Sequence, residues 1–149
     1  MSGKKFKLKC AVYLLPRKGN QVLLSLRQNT GYMDGHYSLV AGHIDGNETL
    51  EGAMAREAKE EAGITIQPSD LKFVYLMHRL KDAPEDEYMD VFYEVTNWEG
   101  DITNEEPEKC GGLDWFDVTD LPDNTLDYVR HIIQVYPNGE NYVSTRGVA

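Results

Sequence analysis

The stretch Gly42–Ile64 reads GHIDGNETLEGAMAREAKEEAGI, and the placement of its acidic residues decides how the rest of the chain is read. Asn47 or Thr49 is suited to cap a helix and Gly63 to end one, which predicts a helix over about Thr49–Ala62. At a step of about 100° per residue, Glu57, Glu60 and Glu61 fall within an arc of about 120° that also holds Leu50, Ala53 and Met54. Glu51, Ala55, Arg56 and Lys59 point elsewhere. Three carboxylates thus share the face that should pack inward. Like charges three and four residues apart repel by roughly 0.2–0.5 kcal/mol per pair. Anions in the last turn oppose the helix dipole by about 0.3–1 kcal/mol each, and facing a core adds desolvation. A divalent cation relieves all three penalties, because hard cations take carboxylate and carbonyl oxygens as ligands.

The spacing is as informative as the wheel. Gly42 is followed after five residues by Glu48, and after seven more by Arg56-Glu57-Ala58-Lys59-Glu60-Glu61-Ala62-Gly63-Ile64. This resembles the signature of the Nudix hydrolases, G-x5-E-x7-R-E-U-x-E-E-x-G-U with U a bulky aliphatic. Every fixed position is filled, and Ala58 is the one small residue where a larger aliphatic is usual.

The resemblance implies a metal-dependent hydrolase of a diphosphate linkage. It places magnesium (Mg2+) or manganese (Mn2+) on Glu57, Glu60 and Glu61, with the carbonyl of Ala41 as a further ligand. Gly42, Glu48 and Gly63 would shape the box. Arg56, grouped with the catalytic residues, would orient it by pairing with Glu48. For the general base the family offers two solutions. Glu106, in Asn104-Glu105-Glu106-Pro107, stands where a distal metal ligand or base is often found, and Glu60 is the rival within the box. Arg27, at the end of a strand, stands where nucleotide-hydrolysing members contact phosphate. Asn124 stands where one group of members reads the base, and it would equally serve as a helix cap.

Outward from the box, Leu8–Leu15 and Gln21–Gln28 read as a hairpin joined by Pro16–Asn20. Tyr37–Ala41 reads as a short strand feeding Gly42 and a loop to Asn47. Asp70–Arg79 and Tyr88–Asn97 read as strands about a charged turn, 82–87, and Leu113–Val118 as another. A second helix is expected from Leu121-Pro122-Asp123-Asn124 to about Tyr136. Two helices and at least six strands in one domain, 1–149, make an α+β sandwich with a mixed β-sheet between helices, which is also the architecture the resemblance implies.

Composition narrows the partners. No run of 18 apolar residues occurs, which excludes a membrane-spanning helix, and Met1–Cys10 has no apolar core of a secretory signal. Cys10 and Cys110 are too few for a disulfide framework, so a reducing cytoplasm is the simplest home. The histidines show no zinc-like spacing with them. A net charge of −10 without a basic patch argues against nucleic acid. A small nucleotide whose charge is screened by bound cations remains the expected partner, and nothing specifies an oligomeric state. Tyr32, His36, Tyr37, Tyr75, His78 and Tyr128 are candidates to stack on a base. Of His78 and Arg79, adjacent on a strand, only one can face a given side. The favoured substrate is a nucleoside triphosphate, canonical or modified, cleaved to monophosphate and pyrophosphate. ADP-ribose or a dinucleoside polyphosphate is the alternative, and a non-catalytic nucleotide-sensing module a further one.

Overall fold

The computed structural model describes residues 3–80 and 87–146. In chain order its elements are β1 (Lys9–Lys18), β2 (Gln21–Arg27), β3 (Tyr37–Ser38), β4 (Val40–His43), α1 (Leu50–Ala62), β5 (Lys72–Leu80), β6 (Tyr88–Val95), β7 (Cys110–Asp117), α2 (Asp127–Val135) and β8 (Tyr142–Arg146). The apolar run of β1 lies in the middle of the sheet. Ala11, Tyr13 and Leu15 face one core, while Val12 and Leu14 face the other, the pattern of a strand covered on both sides. β1 pairs antiparallel with β4 and parallel with β6. β5 joins β6 antiparallel and takes β8 parallel. β2 carries β3 and β7, both antiparallel. The sheet is mixed and eight-stranded.

The core under α1 holds Ala53, Met54, Ala58 and Ala62 with Val12, Leu14 and Val40. The opposite core holds Tyr128, Val129, Ile132 and Ile133 of α2 with Tyr75 and Phe92. The result is the expected α/β/α arrangement. Ala58, small for its place in the box, is fully buried, and its size lets α1 lie close to the sheet.

Several boundaries differ from the sequence reading. β1 runs through Pro16 rather than stopping before it. The strand on that flank changes from β4, paired up to Leu14, to β2, paired from Arg17, so Pro16 falls where no partner on that side needs its missing N–H. Gly42 lies inside β4 and not at the start of a loop. α2 begins at Asp127, with Leu126 as its cap and no side-chain cap bond. Residues 124–126 are instead tied to Tyr37 by Tyr37 N to Asn124 O at 2.9 Å and Leu126 N to Tyr37 O at 3.0 Å. That extended pairing takes up backbone groups an earlier helix start would have used. β8 was not anticipated. The turn expected at 82–87 lies, apart from Glu87, outside the described residues.

Candidate active site

α1 is held at both ends. Thr49 Oγ1 accepts from Gly52 N at 2.9 Å, and Gly63, at φ 71°, donates to Lys59 O at 3.1 Å. A side chain at Gly63 would meet Thr103 and Glu105 as well as the left-handed backbone. At Gly42 the reason for glycine is space alone, since a Cβ there would collide with the Glu57 carboxylate. Glu57 therefore packs its carboxylate against the backbone of Gly42 in β4.

Arg56 organises the acidic residues. Its Nη2 donates to Glu48 Oε1 at 3.0 Å and to the carbonyl of His43 at 3.1 Å. Its Nη1 donates to Glu57 Oε1 at 2.8 Å and reaches Glu60 Oε2 at 3.4 Å. Glu48 in turn accepts from Asp45 N at 2.7 Å. The pairing with Glu48 is as expected. The wheel, however, set Arg56 off the acidic face, and the guanidinium turns back onto it, because a long side chain can follow charge a full turn away.

The distal acid arrives through the end of the helix. Thr103 N donates to Ala62 O at 2.9 Å and Glu105 N to Glu61 O at 3.1 Å, satisfying carbonyls that α1 leaves open. Asn104 Nδ2 donates to Cys110 O at 2.8 Å, and its Oδ1 accepts from Glu106 N at 3.1 Å. The loop is thereby fixed between α1 and β7, with Glu106 beside the box carboxylates. Glu105, its neighbour, accepts from Thr103 Oγ1 at 2.6 Å instead.

The electrostatics record the crowding. Burial, then the neighbouring Glu57, then Glu106 push the Glu61 carboxyl up to about 10, against a smaller opposing effect of the Ala41 backbone. Burial and the charge of Glu57 likewise raise Glu106, with Lys109 opposing. The Glu61 Oε2 atom is buried without a hydrogen-bond partner. Among the described residues, no three His, Cys, Asp or Glu side chains converge closely enough to hold a metal as they stand. Glu60, placed on the inward face by the wheel, is 53% exposed, against 14% for Glu57. The cluster is instead balanced by the Arg56 guanidinium, which pairs with Asp45, Glu48, Glu57 and Glu60. The donor set nonetheless fits a hard divalent cation: carboxylate oxygens, a buried one lacking a partner, and a glycine cradle that keeps the backbone open. Glu57, Glu61, Glu106 and Ala41 are close together, and Glu60 is at the rim.

A cavity of about 560 Å³ opens from this point, lined by Ala41, Gly42, His43, Arg27, Lys109 and Arg79, with Tyr13, Tyr32, Tyr88 and Tyr128 among the rest. Its basic residues stand out on a chain of charge −10. Arg27 is positioned by Nε donating to Tyr32 O at 2.7 Å and Nη2 to Thr30 Oγ1 at 3.0 Å. The turn that holds it is fixed by the Asp34 carboxylate, which accepts from Thr30 N and Gly31 N. Of the aromatic candidates, Tyr32 and Tyr128 line the cavity. Tyr37 packs edge-on against Phe116, and Tyr75 is buried with its hydroxyl on Glu140 at 2.8 Å. His78 turns to Glu87, so Arg79 is the member of that pair facing the cavity. Asn124 is exposed, is not the cap of α2, and donates to Gly35 O at 2.8 Å. His43, Tyr88 and Lys109 were not legible in the sequence, because no motif marks them and only the sheet brings them together.

The family description "NUDIX domain" matches residues 6–137. An "NAD-capped RNA hydrolase NudC" of Vibrio atlanticus is 32% identical over 127 residues, 76% of this chain and 44% of that protein. An "8-oxo-dGTP diphosphatase" of Proteus vulgaris is 31% identical over 99 residues, 66% of this chain and 85% of that one. The chain spans less than half the length of the first NudC relatives, 44% and 45%. Among solved structures, a MutT NUDIX hydrolase from Burkholderia pseudomallei superposes with a TM-score of 0.78 at 22% identity, over 86% of this chain and 97% of that one. That likeness bears on the fold.

Proposed function

The chain belongs to the NUDIX family, and from that premise we propose that it is a Mg2+- or Mn2+-dependent hydrolase of a nucleoside triphosphate, releasing the monophosphate and pyrophosphate. The observation that carries the reading is the adjacency of two opposite surfaces: a carboxylate cluster in need of cations, and a cavity whose walls offer Arg27, Lys109 and His43. Glu57, Glu61 and Glu60, with the Ala41 carbonyl, would hold the cation. When bound, it screens the anionic phosphoryl oxygens and lowers the pKa of water.

This chain's own residues do the rest. Arg27 and Lys109 hold phosphate oxygens in place, a positioning effect as much as an electrostatic one. Glu106 accepts the proton of the attacking water, its carboxyl already raised toward the useful range by burial and by Glu57. The new P–O bond forms as the anhydride P–O bond breaks, and the electron pair leaves on pyrophosphate. Glu60 is the rival base. Arg56 keeps Glu57 and Glu48 in register and takes no proton.

A second reading, cleavage of a dinucleotide pyrophosphate, is favoured by the NudC relatives, whose printed activity is on NAD-capped RNA. The test is product analysis, by a phosphatase-coupled assay and chromatography, with nucleoside triphosphates, 8-oxo-dGTP, ADP-ribose and a diadenosine polyphosphate, in Mg2+, Mn2+ or EDTA and with Glu60→Gln as control. Metal-dependent turnover of a triphosphate supports the first reading. Turnover of the dinucleotides alone replaces it with the second, and no turnover overturns both.

A further inference from the structure

The floor of the cavity holds an ion pair that the hydrolytic chemistry leaves unused. Arg79, near the end of β5, donates from Nε to Asp90 Oδ2 at 2.8 Å and from Nη2 to Asp90 Oδ1 at 3.3 Å. The two side chains are 7% and 0% exposed. The guanidinium lies 4.2 Å from the centroid of the Tyr88 ring, so it is fixed in plane and in direction. A buried ion pair seldom stabilises a fold more than an apolar pair of the same size. In this one Arg79 also lines the cavity, with Asp90 buried behind it.

Its position relative to the box is set by the sheet. β4 carries Ala41 and Gly42, β1 and β6 follow in order, and β5 carries Arg79. Three strand spacings make about 14 Å across the sheet, comparable with the reach from a nucleotide's phosphate to the outer edge of its base. Arg27 and Lys109 supply the cations for the phosphate end. Arg79 lies beyond them on β5, against Tyr88, whose hydroxyl is 3.1 Å from His43 Nε2.

We propose that Arg79, oriented by Asp90, is a specificity residue that selects a 6-keto purine, guanine or hypoxanthine, over adenine. The inference rests on the nucleotide reading above and names its base. A guanidinium has donors and no acceptor. With Nε–H and one Nη2–H on Asp90, the fork formed by Nη1 and the second Nη2–H is what it can offer a ligand. Guanine and hypoxanthine present the paired acceptors O6 and N7 to such a fork, whereas adenine sets an amino donor where O6 would be. Donor against donor leaves both groups desolvated and unpaired.

The test is calorimetric binding of GMP, IMP and AMP to the whole chain, which does not depend on turnover. The wild type is expected to bind GMP and IMP about tenfold tighter than AMP. In the paired variant Arg79→Gln with Asp90→Asn, which keeps volume and hydrogen bonding, the ratio should fall toward one while AMP binding changes little. Arg79→Lys, which retains charge but loses the fork, should lose the preference as well and serves if the paired variant does not fold. Equal binding by the wild type, or a preference surviving in a folded variant, overturns the inference alone. Failure of all three monophosphates to bind overturns the nucleotide reading and this inference with it.

Discussion

Beside the cavity, next to Gly42, Glu57 and Glu60 share the guanidinium of Arg56 with Glu48 and Asp45, while Glu61 and Glu106 crowd beside them. Elsewhere in the cavity wall the guanidinium of Arg79 is paired, among the described residues, with one carboxylate, Asp90. The first cluster is exposed at its rim and over-supplied with acid, and burial beside Glu57 and Glu106 pushes the Glu61 carboxyl up. The second is buried, neutral and complete. The shortfall of positive charge at the first is what the proposed cation would fill, and the proposed base contact needs a side chain held rigid before the ligand arrives. The same residue types serve both places, and the local balance of charge separates the two uses.

The sharpest way to break the comparison is to unbalance the closed pair. Arg79→Met strands Asp90 as a buried charge and should cost about 3–5 kcal/mol in urea unfolding. Adding Asp90→Leu should recover most of it, since an apolar pair replaces an ionic one. If the single variant is as stable as the wild type, the pair is not closed. The open cluster should respond in the opposite sense. Glu57→Gln should reduce activity by at least roughly 100-fold, while the metal-free melting temperature holds or rises because repulsion is relieved. Retained activity there and in Glu60→Gln would remove the carboxylates from the mechanism.

The titration of Glu61 gives a finer test. In the metal-free fold its carboxyl titrates at about 10, against about 4.5 for an unperturbed side chain. Below the lower value both folded and unfolded chains hold the proton, and the group has no effect. Between the two values the unfolded chain releases it and the folded chain does not, so stability falls as pH rises, at up to about 1.4 kcal/mol per pH unit. Thermal unfolding in EDTA from pH 5 to 9 should show that slope, and Glu61→Gln should flatten it. A slope unchanged in the variant would assign it to other groups. The smallest effect is expected at Asn124→Ala, which removes the bond to Gly35 O and should cost about 0.5–1.5 kcal/mol. A change in base preference without loss of melting temperature would show that Asn124 contacts the base.

What could be read from the chain follows the same division. The helix Leu50–Ala62, its Thr49 and Gly63 ends, the pairing of Arg56 with Glu48 and the crowding of the carboxylates all lie within Gly42–Ile64, where neighbours in sequence are neighbours in space. The β1 strand and the α/β/α layering were legible, while the place of β1 in the middle of the sheet, between β4 and β6, came only from the structure. Asn124 was misjudged as a cap because Tyr37, far away in sequence, claims the backbone beside it. Arg79 could be narrowed only to an alternation with His78, and its pairing with Asp90 depends on the register of β5 on β6.

The sequence by itself determined a family, a fold class and a cluster of acid too dense to stand without positive charge, because helical periodicity and local spacing are properties of the chain. Only the tertiary structure decided that Glu60 lies at the rim, that Arg56 turns back onto the acids, and that Arg27, Lys109, His43 and Arg79 meet around one cavity. Those residues come from different strands and loops, and it is strand order and register, set by burial of both faces of the sheet, that bring them together.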